Sequence, residues 1–207
     1  MKPITKQMQQ EITPKMALDF LKQGNKRFIN NVQAKRNLLE QAEETAKGQY
    51  PFAVVLSCID SRTSAELIFD QGLGDIFSVR IAGNIINEDI LGSMEFACKV
   101  AGSKVIVVLG HSKCGAVMGA CNHVEMGNLS ALLAKIKPAI DDEKSITDDR
   151  NADNPTFVEQ VTKVNVKRVM KDIVERSPIL KEMLDNKEID LIGGYHELST
   201  GEVTFDL

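Results

Sequence analysis

The chain has 207 residues, of which 43% are hydrophobic and 26% charged, with a formal net charge of −4. That is the make-up of an ordinary soluble globular protein, long enough to bury a sizeable core. The charges are mixed in sign, no basic stripe interleaves with aromatics, and no apolar run reaches the roughly 18 residues of a membrane span, so neither nucleic acid nor membrane is an expected partner. The opening residues Met1 to Met8 lead into no apolar stretch of the secretory kind. With only four cysteines in a chain of this size, a disulfide framework is not expected, and the compartment reads as reducing, hence cytoplasmic.

In chain order, the first residues are polar and read as loose. Thr13-Pro14 is a helix start, with Thr13 as cap and Pro14 in the first turn. Ala17, Phe20, Leu21, Gly24 and Phe28 follow at helical spacing, and a second helix is expected over 35–47. The run Phe52-Ala53-Val54-Val55-Leu56 reads as a buried parallel strand. A short helix over 64–70, a Gly72–Asp75 turn and a strand over 76–79 come next. Asn87 caps a helix running to about Val100, and Lys104–Leu109 is the clearest strand of the chain. A helix begins near Cys114, and others are expected over 128–140 and 155–176. The charged stretch 141–153 reads as an exposed loop. Two strands, at 189–193 and 202–205, close the chain. This alternation defines an α/β fold: a central, mainly parallel β-sheet flanked by helices, with an N-terminal helical arm at about 1–47 and a core from about 52 to 207, together one domain.

Two motifs carry the chemistry, Cys58-Ile59-Asp60-Ser61-Arg62 and His111-Ser112-Lys113-Cys114. Each follows an apolar strand, so both fall where α/β sheets bind ligands, beyond the carboxyl ends of strands. Taken singly, either cysteine reads as a small buried hydrophobe. Jointly the motifs offer Cys58, Asp60, His111 and Cys114, two thiolates, an imidazole and a carboxylate, the set and number that suit tetrahedral zinc. Cys98, in a core helix, and Cys121, with no partner motif, are expected not to ligate, nor are His123 and His196. Arg62 leaves two states open. If its guanidinium captures Asp60, the metal gains an open position for water; if Asp60 stays on the metal, the site is shut.

At these residues the chain resembles the β-class carbonic anhydrases, whose pattern Cys-x-Asp-x-Arg followed by His-x-x-Cys is intact here. Arg80-Ile81-Ala82-Gly83-Asn84 and Gly92–Ala97 also resemble family segments, and the likeness runs from about Thr13 to the C-terminus. The resemblance implies one Zn2+ per chain on Cys58, His111 and Cys114, with Asp60 pairing Arg62 in an open form and ligating zinc in a closed one. It implies reversible hydration of carbon dioxide to bicarbonate and a proton by attack of zinc-bound hydroxide, with Asp60 and Arg62 catalytic. The Gly115 amide would serve substrate, and Gln49 would hydrogen-bond bicarbonate, often across a subunit boundary. A homodimer or homotetramer follows, the N-terminal helix packing on a neighbouring subunit. Ile59 and Thr63 depart from the residues common at their positions without removing a ligand. Two alternatives share the same motifs: hydrolysis of a CO2 analogue such as carbon disulfide or carbonyl sulfide, and a noncatalytic zinc-stabilised binding module. Nucleotide binding is poorly supported, because Gly72-Leu73-Gly74 lacks the full glycine fingerprint.

Overall fold

The structure is a computed structural model that describes residues 2–205 and 207. The arm holds α1 (Lys6–Glu11), α2 (Pro14–Ile29) and α3 (Leu38–Thr45). The core follows as β1 (Ala53–Ser57), α4 (Ala65–Ile68), β2 (Ile76–Arg80), a tight turn at Ala82–Asn84, and α5 (Glu88–Glu95), which continues as a π-helical turn over Phe96–Val100. Next come β3 (Val105–His111), α6 (Gly115–Cys121), α7 (Gly127–Leu133), α8 (Lys137–Asp142), α9 (Pro155–Arg176), α10 (Pro178–Asp185), β4 (Asp190–His196) and β5 (Val203–Phe205).

The sheet order is β2-β1-β3-β4-β5, parallel except for β5, which pairs antiparallel with β4. Successive strand residues face opposite sides, and here both sides are covered. Val54, Leu56, Ile106 and Val108 point to a core shared with α5, α9 and α10. Ala53, Val55, Val107 and Leu109 point to a second core with α2 and α4. A third cluster, built from α6, α7, α8 and the first half of α9, roofs the carboxyl ends of β1 and β3. The chain leaves β1 for β2 on one side and returns to β3 on the other. The crevice between β1 and β3 is therefore the topological switch point of the sheet, where such folds bind ligands.

The arm is fastened to its own chain. Thr13 caps α2 by accepting from the Met16 amide, and Ala17, Leu21 and Gly24 are buried beneath it. Gly24 is required because a Cβ there would lie 1.7 Å from the Phe69 carbonyl oxygen. The Asn25 amide donates to the carbonyls of Ile68 (3.0 Å) and Gly201 (2.8 Å) and accepts from the Val203 amide at 2.9 Å. Asp70, buried, takes both Arg27 and Arg36. Ala17, Leu21 and Gly24 on α2 are thus covered within the chain, while Met16 and Ile29 stay exposed.

Other differences from the sequence reading have local causes. The opening residues are not loose: Thr5 caps α1, and the buried Gln9 side chain donates to the carbonyls of Pro51 (2.7 Å) and Ala101 (2.8 Å). The expected helix over 128–140 is broken into α7 and α8, with Pro138 in the first turn of the second piece, where its missing N–H does no harm. The charged stretch 141–153 folds around buried Glu143, which accepts from Ser145, Ile146 and Arg150. Helix α10 was not anticipated, although Ser177-Pro178 repeats the Thr13-Pro14 start and Leu180 and Met183 are buried at helical spacing.

Candidate metal centre

The end of β1 delivers Cys58, the end of β3 delivers His111, and Cys114 occupies the cap position before α6. All three are buried, and their ligand atoms lie within 4.8 Å of one another. Two adjacent parallel strands and one tight turn suffice for this convergence. Lys113 turns the chain with φ at 54°, which brings Cys114 back beneath His111.

The electrostatics suit a cation. Cys58 is held well below the ordinary thiol range, first by the bond from Cys114, whose sulfur stands 3.9 Å away, and further by the Gly83 amide at 3.4 Å. Cys114 is pushed up by the same pairing and by burial. The pairing favours the thiolate at Cys58, and a bound cation would favour the thiolate at Cys114 as well. The His111 Nδ1 atom stands 2.9 Å from the Ser112 carbonyl oxygen. A carbonyl only accepts, so Nδ1 carries the proton and Nε2 keeps its lone pair. That Nε2 is buried without a hydrogen-bond partner among the described residues. Orphaned buried polar atoms are rare and need an explanation; a metal ion among two sulfurs and one nitrogen gives one. The donor set fits zinc.

Asp60 does not stand in this cluster. Its carboxylate is turned onto Arg62, which donates from Nε to Oδ1 at 2.9 Å and from Nη2 to Oδ2 at 2.7 Å, while the Arg62 backbone amide adds a bond to Oδ1 at 2.9 Å. The fork holds the Asp60 carboxyl far below the usual carboxylate range. Of the two states the sequence left open, the structure presents the one with Asp60 on the arginine. A zinc ion held by Cys58, His111 and Cys114 would then have three protein ligands and one position left for water, as catalytic zinc sites have.

Gly115 opens α6 next to Cys114, exposed, and a Cβ there would meet nothing within 4 Å. As the first residue of α6, it has an amide with no acceptor within the helix. Gln49 is not brought to the cluster within one chain. It is exposed, and its Cβ lies near Gly74, in the turn that precedes β2, at the amino end of the sheet. Cys98 and Cys121 are buried outside the cluster, with burial pushing their thiols up to about 12 and about 11. His123 and His196 are likewise outside it. His196 pairs in register with His111, and burial pushes it down to about 4, which keeps it neutral at pH 7.

Sequence reasoning missed a clamp. Arg80, at the end of β2, donates from Nε to the Cys58 carbonyl at 3.0 Å and from Nη2 to the Asp60 carbonyl at 2.6 Å. It fixes the backbone of the Cys58–Asp60 loop from the next strand. Gly83, whose amide faces the Cys58 sulfur, has φ at 68° and would clash through a Cβ with Ile136 at 2.6 Å. The signal was the Arg80–Asn84 segment itself, whose arginine sits one strand over from Cys58.

Comparison with known proteins accords with this geometry. The sequence profile of the carbonic anhydrase family matches residues 53–203. Carbonic anhydrase 2 of Mycobacterium tuberculosis is 34% identical over 194 residues, covering 91% of this chain and 90% of the relative. A carbonic anhydrase of Mycolicibacterium smegmatis is 39% identical over 133 residues, 61% of this chain and 65% of the relative. Among solved structures, the β-carbonic anhydrase CafA of Aspergillus fumigatus shares the fold with a TM-score of 0.72 at 24% identity, covering 81% of each chain. The chain belongs to the carbonic anhydrase family, in its β class. It is accordingly an enzyme of the lyase type, a carbonate dehydratase acting on carbon dioxide. Among the described residues no helix is long and apolar enough to cross a membrane.

Proposed function

We propose that the chain carries out the reversible hydration of carbon dioxide to bicarbonate and a proton with one zinc ion per chain, held by Cys58, His111 and Cys114. The observation that carries this reading is the pairing of a three-donor cluster with an Asp60 drawn off it by Arg62. Zinc bound there would act as a Lewis acid and lower the pKa of a coordinated water to about 7. Asp60, kept ionised by its arginine, offers an acceptor that orients the attacking water and so sets its lone pair toward the carbon. Arg62 holds that carboxylate off the metal and in one rotamer. The Gly115 amide, at the start of α6 beside Cys114, donates to an oxygen of the product bicarbonate. Arg80 keeps the Cys58–Asp60 backbone in register with the rest of the site.

Gln49 completes the substrate site from a neighbouring subunit. Its place at the opposite end of β1 from the cluster supports an assembly in which a second copy supplies it. The chain then works as a homodimer or homotetramer, and among proteins of this fold the carbonic anhydrases of Sordaria macrospora are described as tetrameric. The arm and the α/β core act as one zinc domain, in the cytoplasm, a setting compatible with four free cysteines. Neither alternative gains a specific observation. A saturated structural zinc site would place Asp60 on the cluster rather than on Arg62.

Stopped-flow CO2 hydration on purified wild type and Asp60→Asn tests the assignment. The account expects robust wild-type turnover and near-complete loss in the variant with zinc content unchanged. Wild-type turnover in Asp60→Asn refutes the role of Asp60.

A further inference from the structure

His111 is oriented by a backbone carbonyl, and that carbonyl belongs to a residue with unusually complete anchoring. Ser112 is buried. Its amide donates to the His196 carbonyl at 3.0 Å. Its hydroxyl donates to Glu197 Oε1 at 3.1 Å and accepts from the Leu198 amide at 2.9 Å. Glu197 is fixed in turn, because the same Oε1 accepts from the Ser199 amide at 3.0 Å and the Ser199 hydroxyl at 2.7 Å. The hydroxyl thus has one donor and one acceptor role filled, and its rotor is determined.

These bonds span 85 residues of sequence and join the ends of β3 and β4. They bear on the next turn, where Lys113 takes a positive φ before Cys114. Without the anchoring, the Ser112 peptide is free to rotate, and its carbonyl no longer fixes the proton on His111 Nδ1. The ring then loses both its orientation and its preferred tautomer. Outer partners of a metal-binding histidine act in this way.

We propose that Glu197 and Ser112 form a positioning strut that sets the His111 imidazole for the metal, Glu197 acting through the Ser112 hydroxyl and the Ser112 carbonyl. The inference rests on the reading of Cys58, His111 and Cys114 as zinc ligands. Neither Ser112 nor Glu197 touches substrate in this account.

The test is zinc affinity, measured by chelator competition on purified protein, for wild type, Ser112→Ala, Glu197→Ala, the double variant and Ser112→Thr. Each alanine variant is expected to bind zinc about tenfold more weakly, the lower end of the range for outer partners of metal ligands. The double variant should match the singles rather than multiply them, since both act through one hydroxyl. Ser112→Thr keeps the hydroxyl and should restore wild-type affinity. Cobalt-substituted Ser112→Ala should also show a shifted visible spectrum, which a loss of general stability would leave in place. If Glu197→Ala fails to fold, Ser112→Ala and its threonine counterpart decide the matter. Affinity within twofold of wild type in folded Ser112→Ala overturns the strut alone. Wild-type protein that binds no zinc overturns the metal reading beneath it.

Discussion

Arg62 grips Asp60 through two parallel hydrogen bonds, Nε to Oδ1 at 2.9 Å and Nη2 to Oδ2 at 2.7 Å, although only two residues separate them in sequence. The Arg62 amide closes an Asx turn on the same carboxylate. A planar fork of this kind fixes orientation as well as charge. Replacing Arg62 by alanine frees the carboxylate to approach the metal position. We expect hydration to fall by about 10²-fold or more, the scale of losing a positioned proton acceptor, with zinc content unchanged. Near-wild-type turnover in Arg62→Ala, by stopped flow, contradicts the gate.

Metal removal should make the four cysteines unequal. Cys58 has the thiolate character, while burial keeps Cys98 and Cys121 protonated, and thiolate is the reactive form. In zinc-stripped protein, iodoacetamide should label Cys58 first, and added zinc should protect it. Mass spectrometry of tryptic peptides reads this out. Equal labelling of Cys58 and Cys98, or no protection, contradicts the assignment.

The attachment of the arm is expected to be acid-sensitive. Burial raises the Asp70 carboxyl, but bonds from Arg27, Arg36 and the Ala34 amide outweigh it, so the folded pKa lies below the ordinary value. A carboxyl depressed on folding stabilises above its unfolded pKa, about 3.9, and loses that contribution as pH falls through the folded value. Thermal stability should therefore drop below about pH 4 through this group. Asp70→Ala should cost about 3–5 kcal/mol at neutral pH, because it removes the buried carboxylate that Arg27 and Arg36 both grip. Denaturant unfolding checks both, and an Asp70→Ala cost under about 1 kcal/mol contradicts the pairing.

Gly24 offers a steric test of how the arm sits. An added methyl would lie 1.7 Å from the Phe69 carbonyl oxygen, which belongs to rigid backbone. Gly24→Ala raises helix propensity in α2, yet we expect net destabilisation of about 1–3 kcal/mol, as for other overpacked sites. Calorimetry showing a gain in stability contradicts the close approach.

The parts of this protein that announce themselves in sequence are those whose signal is local. Lys104–Leu109 reads as a strand because its residues after Lys104 are apolar and mostly β-branched, and β3 runs over Val105–His111 with every residue buried; α9 keeps its expected limits because Asn154-Pro155 caps its start. The clustering of Cys58, His111 and Cys114 was legible because zinc needs particular donor types at particular spacings, and both motifs sit at strand ends. Other features depend on partners far along the chain. Gln9 orders α1 only through the carbonyls of Pro51 and Ala101. Glu143 looks like one more charge in an acidic stretch until Arg150 folds back onto it. The Arg80 clamp and the Ser112–Glu197 bond join different strands, and no spacing rule within either motif points to them. Whether Asp60 sits on metal or on arginine was also beyond sequence, since both outcomes use the same residues.

The most direct test of the account is zinc content measured together with CO2 hydration on the intact protein, before and after stripping with a strong chelator and again after zinc is returned. The account predicts one zinc ion per chain, loss of hydration in step with loss of zinc, and recovery on its return. Full hydration by metal-free protein, or a purified chain that holds no zinc, would contradict it.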